Sequence, residues 1–269
     1  GKYYHNIDGW FIAKIGEENT KVAPIIVGLA EVENNKVIED LIASKHLEDC
    51  NYGYIHYDSL DERGIDVALI YDTTAFEVLH SETFTIQLTD DDGSPDYTRD
   101  ILLVSGLLEN VHLIVNHWSS RREGEKETEP KRMASSDKVG EIISSLRQKN
   151  EAVKIIVIGD FNDDPHSNSI KRLVEGFDLF NPMETLKSFN RGTTKHNWQW
   201  NLFDQILIST NFFKTSDLLF EYSSANIFDE DFLKLFNGKY KGSPFRTYVG
   251  KKYKGGYSDH FPVYVIFKK

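Results

Sequence analysis

The run Lys154 to Pro165, KIIVIGDFNDDP, constrains this chain more than any other stretch. Four consecutive apolar residues, Ile155, Ile156, Val157 and Ile158, leave no polar face, so a strand built from them must be covered on both sides. A two-sided cover demands layers, with a second sheet against one face and helices outside. The run then ends abruptly in polar residues. Gly159 permits a sharp exit, and Asp160, Asn162, Asp163 and Asp164 emerge at the strand's end, where layered folds commonly carry their sites. Such a cluster suits a metal ion or a phosphate. An EF-hand is excluded: D-x-N-x-D starts correctly, but Pro165 and Lys171 stand where that loop requires glycine and glutamate. One of Asp163 and Asp164 is expected to cap the helix after Pro165, which leaves Asp160 and Asn162 for other work.

The remaining pattern fits this frame. Short runs rich in β-branched and aromatic residues predict strands at 24–29, 66–71, 83–88, 101–107, 111–116, 154–158, 204–208 and 262–267. Apolar residues at i, i+3, i+4 and i+7 predict helices over 35–47, 131–149 and 170–177. The acidic stretch 122–130 reads as an exposed loop ahead of the long helix. No repeat or linker divides the 269 residues, so one domain over 1–269 is expected. No apolar run approaches the roughly 20 residues that span a bilayer. The single cysteine, Cys50, excludes an internal disulfide and a cysteine-rich zinc site. No signal or lipidation motif is visible, and the opening GKYYHN, without methionine, predicts a truncated or processed start and leaves the compartment open.

A formal net charge of -11 argues against general adhesion to nucleic acid or anionic membrane. The charge is uneven. Residues 238–257 hold Lys239, Lys241, Arg246, Lys251, Lys252 and Lys254 with no acid, interleaved with Tyr240, Phe245, Tyr248 and Tyr253. Cations beside aromatic faces suit a phosphate-bearing, nucleotide-like substrate, although a solvated loop has the same composition.

Four further strand ends behave like the one at Asp160. PIIVGLAEVENN runs into Glu31, VHLIVNHWSSR into Asn116 and His117, FDQILIS begins at Asp204, and YSDHFPVYVIF begins with Asp259 and His260. Each alone has an ordinary structural explanation; five together point to one site.

With GLAEVEN at 28–34, NHWSSR at 116–121, GDFND at 159–163, FDQILIS at 203–209 and SDHFPV at 258–263, the sequence resembles the endonuclease/exonuclease/phosphatase superfamily, most closely its bacterial branch. The motifs occur in that family's order. The resemblance implies an α+β fold: a four-layer α/β-sandwich, two mainly antiparallel sheets face to face with helices outside. It implies a Mg²⁺- or Mn²⁺-dependent hydrolase of phosphate esters in which Glu31 and Asp259 serve the metal. Asp160 would orient or deprotonate the attacking water, and Asn162 would bind non-bridging oxygens. His260, oriented by Asp204, and His117 would face the phosphate, with Asp66 as a weaker candidate to orient His117. Arg121 is a candidate phosphate clamp, because its planar fork can pair with two oxygens. The family's first strand is expected to be missing, since residues 1–23 read as helix and loop and Asn6 is no substitute for that strand's asparagine.

The substrate reading is a nucleic-acid phosphodiesterase, with an inositol-phosphate or phosphoinositide phosphatase and a sphingomyelinase-like enzyme as alternatives. The segment 191–205, RGTTKHNWQWNLFDQ, reads as a recognition loop, with Lys195 and Trp198 placed to bind a neighbouring phosphate or stack on a base. A monomer is expected. A non-catalytic binding module that keeps the fold is the competing class, although Glu31, His117, Asp160, Asn162, Asp204, Asp259 and His260 are all of catalytic type.

Overall fold

The computed structural model describes residues 23–90, 92–108, 110–213 and 221–268. In chain order its elements are β1 (Ile26–Val32), α1 (Asn35–Ile42), β2 (Tyr52–His56), β3 (Asp66–Asp72), β4 (Val78–Phe84), β5 (Leu88–Thr89), β6 (Pro95–Asp96), β7 (Ile101–Gly106), β8 (Val111–His117), α2 (Glu125–Lys149) and β9 (Lys154–Asp160). There follow α3 (Asn168–Gly176), β10 (Leu179–Phe180), β11 (Thr194–His196), β12 (Gln199–Asn201), β13 (Asp204–Ser209), β14 (Glu221–Ile227), β15 (Tyr248–Val249), β16 (Lys252–Tyr253) and β17 (Val263–Lys268).

The doubly apolar strand β9 lies inside a six-stranded sheet of order β10-β13-β9-β8-β7-β4, as its composition requires. Its alternate residues face opposite layers. Ile155 and Val157 pack with Val139, Ile142, Ile143 and Leu146 of α2 and with Ile170 and Leu173 of α3. Ile156 and Ile158 pack toward the second layer, with Leu69 of β3. That layer contains the three-stranded sheet β1-β3-β2 and the pair β14-β17. Helix α1 closes the far side, burying Ile38 and Leu41 against Ala68 and Ile70. The order is helices, sheet, sheet, helix, the α/β sandwich the motifs imply.

Two glycines mark where the layers come closest. A Cβ on Gly28 would meet Ile158 Cδ1, so β1 can lie across β9 only without a side chain there. Gly159 has φ 143°, and a Cβ would run into the carbonyl oxygen of Asn116 on the adjacent strand.

Several expectations need correction. Helix α2 begins at Glu125, so most of the supposed loop 122–130 is helical, with Pro130 inside. Pro130, the sixth helical residue, keeps a helical φ but gives up one backbone bond and crowds the carbonyl four residues before it. Buried Arg132 holds this first turn, donating to Glu125 O (2.7 Å) and Thr128 Oγ1 (2.6 Å). Helix α1 stops at Ile42 rather than 47, and the strand expected at 83–88 is β4, ending at Phe84, followed by the separate short β5. Neither Asp163 nor Asp164 caps α3, whose N-cap is Ser167. The recognition segment 191–205 contains a hairpin, β11-β12. The reading of residues 1–23 as lacking the first strand, Asn6 included, falls almost wholly outside the described residues. Among those residues no helix is long and apolar enough to cross a membrane.

Candidate active site

Strand register alone assembles the centre of the site. His117 on β8 pairs with Asp160 on the parallel neighbour β9, and Asp160 pairs with Asp204 on the antiparallel β13. Directly paired residues project to the same face, so three chemically active side chains form one row across adjoining strand ends. Parity selects the face. Leu113, Val115, Ile156, Ile158, Ile206 and Ile208, all an even number of residues away along their strands, line the core between the two sheets. The row therefore opens at the end of that inter-sheet core.

The second layer supplies the rest. Val263–Lys268 packs over β13, and His260, just ahead of it, places Nδ1 2.8 Å from Asp204 Oδ2 and 4.0 Å from Asp160 Oδ2. Asp160 Oδ1 accepts the backbone N–H of Asn162 (2.9 Å), and its Oδ2 lies 3.6 Å from His117 Nε2. Asn162 holds a left-handed backbone, φ 48°, and donates from Nδ2 to Trp118 O (2.9 Å), with no other side-chain hydrogen bond among the described residues.

Charge in this row is unevenly distributed. Burial pushes the Asp160 carboxyl up to about 7 despite the opposing pull of His260, with Asp204 and Glu31 adding like-charge repulsion. Burial opposes charge on His260 as well. There the attraction of Asp204 and Asp160, the hydrogen bond to Asp204 and the charge of Asp259 win, and the imidazole stays protonated well above the ordinary histidine range. His117 moves the other way: burial, Arg99, Arg63 and His260 hold it well below that range, so it is neutral at pH 7. Its Nδ1 is buried and has no hydrogen-bond partner among the described residues. The two histidines thus differ in kind, one a cation and the other a neutral ring.

Glu31 reaches the site from β1 through a register shift between Leu29 and Val32 and a left-handed backbone, φ 58°. A non-glycine residue rarely adopts that conformation, and at a bulge it re-aims a side chain. Its Oε1 accepts a hydrogen bond from Arg63 Nη2 at 2.9 Å. Asp259 is half exposed, with Oδ2 3.8 Å from Arg246 Nη1.

As a cation site the row is chemically suited. Ligand atoms of Asp160, Asp204 and His260 lie within 4.8 Å of one another. Two carboxylates at that spacing, with Glu31 close enough to raise Asp160, are the hard oxygen donors that Mg²⁺ and Mn²⁺ prefer. The expected pair, Glu31 and Asp259, flanks this cluster rather than forming it, each beside an arginine.

Arg121 is not free to clamp a phosphate. Its Nε donates to Asn162 O (2.8 Å), Nη2 to Asp163 Oδ1 (2.7 Å), and Nη1 pairs with Glu125 (2.8 Å), while the guanidinium lies over Phe203. It fastens the loop after β9 instead. Asp66 does not orient His117: it accepts from Ser59 N and Ser59 Oγ, and its other oxygen meets His56 Nε2 at 3.1 Å. The group behind His117 is Arg99, buried, which donates to the carbonyls of His117 and Trp118 and pairs with Asp61. No motif marks Arg99 or Arg63; Arg246 was visible only as part of a basic run.

A family model described as Endonuclease/Exonuclease/phosphatase family matches residues 2–269. Among solved structures, a mannosyl-6-phosphatase of Bacteroides thetaiotaomicron VPI-5482 superposes with a TM-score of 0.58 at 19% identity, covering 91% of this chain and 85% of that one. A D. rerio TDP2 humanized by 14 mutations gives 0.59 at 17% identity, with 91% and 86% covered. D. rerio TDP2 complexed with single strand DNA product gives 0.56 at 14%, again covering 91% and 86%. No curated protein matches.

Proposed function

The chain belongs to the endonuclease/exonuclease/phosphatase family, and from that premise we propose that it is a divalent-metal-dependent phosphodiesterase acting on nucleic acid. The observation that carries the reading is the Asp160–Asp204–His260 cluster, with a protonated imidazole and a carboxylate facing one point. Hydrolysis of a phosphate ester brings water to an anionic phosphorus and accumulates charge on equatorial and leaving oxygens, so donors and cations must be in place beforehand.

His260 supplies one such cation. Asp204 holds its ring by the 2.8 Å hydrogen bond, and the remaining Nε2–H is the donor offered to a phosphoryl oxygen. Asp160, ionised in part at neutral pH, accepts a proton from the attacking water, work worth about 10²- to 10⁴-fold. Asn162 offers its spare N–H to a non-bridging oxygen, and neutral His117 presents a second ring to the phosphate without adding repulsion against His260. Glu31 and Asp259, the carboxylates flanking the cluster, are the residues that would hold Mg²⁺ or Mn²⁺, leaving Asp160 and Asp204 to their roles; the bound ion would contribute Lewis acidity and a lowered water pKa. No covalent intermediate is needed.

The basic, aromatic-rich run beside Asp259 supports an extended anionic substrate over a small neutral one. The single strand DNA product held by D. rerio TDP2 is in keeping with it. The test compares plasmid DNA, a short RNA, inositol phosphates and a mannose 6-phosphate ester under Mg²⁺ or Mn²⁺. Preferential cleavage of either nucleic acid supports the proposal. Faster turnover of the small esters would replace it with a phosphatase, and no turnover of any would point to the binding module.

A further inference from the structure

Beyond the catalytic row, the β11-β12 hairpin carries a feature the chemistry does not use. It stands as a two-stranded ribbon whose register pairs Thr194 with Asn201, Lys195 with Trp200 and His196 with Gln199. The two-residue turn, Asn197 and Trp198, has both residues left-handed, φ 45° and 69°. Asn-Gly is the usual pair for such a turn; a bulky tryptophan in the second place is an outlier that persists where the surroundings impose it. Here the indole stacks on Tyr240, centroids 5.2 Å apart and planes 10° from parallel, yet Trp198 and Tyr240 each remain 55% exposed.

Two ammonium groups lie against these rings. Lys195 Nζ is 5.1 Å from Trp200 and 5.9 Å from Trp198, and Lys239 Nζ is 5.0 Å from Trp198 and 5.6 Å from Tyr240. Neither lysine forms an ion pair with a carboxylate among the described residues, in a chain of net charge -11. The hairpin is rooted at the catalytic row. Thr193 O accepts Phe261 N (2.7 Å), Thr194 Oγ1 donates to Asp259 O (3.0 Å), and Thr193 Oγ1 accepts Phe203 N (3.1 Å). Three residues of strand carry its tip about 10 Å from that root.

We infer that Trp198 and Tyr240, with Lys195 and Lys239, form a stacking subsite for a nucleobase flanking the scissile phosphodiester of a single-stranded nucleic acid, the lysines meeting the neighbouring phosphate. The inference rests on the proposed phosphodiesterase reading. The stacked pair keeps more than half of each side chain exposed, a sequence-tolerant platform for a base, and ammonium groups with no carboxylate partner among the described residues complement a second anion that a phosphate monoester lacks.

The experiment measures kcat and KM for a short single-stranded oligonucleotide and for bis-p-nitrophenyl phosphate, in the wild type and in Trp198→Ala, Trp198→Phe, Tyr240→Ala and Lys239→Ala. Binding of the same oligonucleotide is titrated in EDTA, where turnover stops. The selectivity ratio of the two kcat/KM values is expected to fall about tenfold or more in Trp198→Ala and Tyr240→Ala, chiefly through the oligonucleotide KM, with Trp198→Phe largely restoring it. Lys239→Ala is expected to flatten the salt dependence of binding. A ratio within twofold of wild type in both alanine variants overturns the subsite, as does wild-type hydrolysis of the small diester without oligonucleotide binding. If the wild type hydrolyses neither substrate, the phosphodiesterase reading fails, while loss of oligonucleotide binding in Trp198→Ala would still establish the subsite.

Discussion

Replacing Asp204 by asparagine keeps the shape of the carboxyl and removes its charge. In the native site that charge is the largest influence holding His260 protonated against burial, across a 2.8 Å hydrogen bond with both side chains mostly buried. Losing it leaves a buried imidazole with Asp160 as its main anionic neighbour, so the histidine titrates lower. A charge-assisted hydrogen bond contributes about 1.5–3 kcal/mol, and a preplaced donor to developing charge about 2.7–4 kcal/mol of transition-state stabilisation. The expected loss is therefore about 10²- to 10³-fold in kcat, with KM for bis-p-nitrophenyl phosphate little changed at saturating Mg²⁺. The pH profile carries a second signature. In the wild type the alkaline limb, where His260 loses its proton, lies well above the usual histidine range; in Asp204→Asn it moves acidward. The pair's contribution to stability is complete below the unfolded histidine value of about 6.5 and is lost as pH climbs through the raised folded value, so the variant's thermal deficit should be largest near pH 6. An alkaline limb that stays in place, or a kcat within threefold of wild type, would refute the assignment of His260 as the charged group.

Further perturbations separate the other roles. Because Asp160 titrates at about 7, metal-free protein should lose stability as pH rises from the ordinary aspartate value to 7, where the folded carboxyl holds a proton that the unfolded one has released. Asp160→Asn should remove that loss, melting above the wild type at pH 8 in EDTA while kcat falls about 10²- to 10⁴-fold; a lower melting temperature there would contradict the crowding of charge around it. Glu31→Gln should raise the Mg²⁺ concentration for half-activation about tenfold, roughly 1.4 kcal/mol, and unchanged activation would place the ion elsewhere. Asp163→Ala strips Arg121 and buried Arg132 of a carboxylate at 2.7 and 2.8 Å and should cost about 3–5 kcal/mol, seen as a roughly 10 °C fall in melting temperature. A fall under 2 °C would show the network to be dispensable.

The sequence made the row legible because its elements follow local rules. A strand apolar at every position declares both its covered faces, so Asp160 could be placed at the end of a buried strand, while the face it takes follows only from the pairing with β8 and β13. What escaped was three-dimensional pairing. Arg121 is a good phosphate ligand by type, yet Asp163, Glu125 and the Asn162 carbonyl claim its donors, and nothing local in NHWSSR encodes that competition. Arg99 supports His117 from 18 residues away through backbone carbonyls, which leave no trace in side-chain pattern. The stretch 122–130 looked like a loop because its acidic composition is a local signal, while the Arg132 contacts that hold the first turn of α2 are formed only once Arg132 is buried. Trp198 and Tyr240 each stood out in its own segment, but their stacking joins positions 42 apart and left no local trace.

The most direct measurement is initial-rate hydrolysis of bis-p-nitrophenyl phosphate by the wild type, Asp160→Asn and His260→Ala, each with Mg²⁺ and with EDTA. Convergence of these side chains on one phosphoryl group predicts turnover that EDTA abolishes and that each substitution lowers by at least about 100-fold. Turnover that persists in EDTA, or that survives both substitutions within threefold, would contradict it.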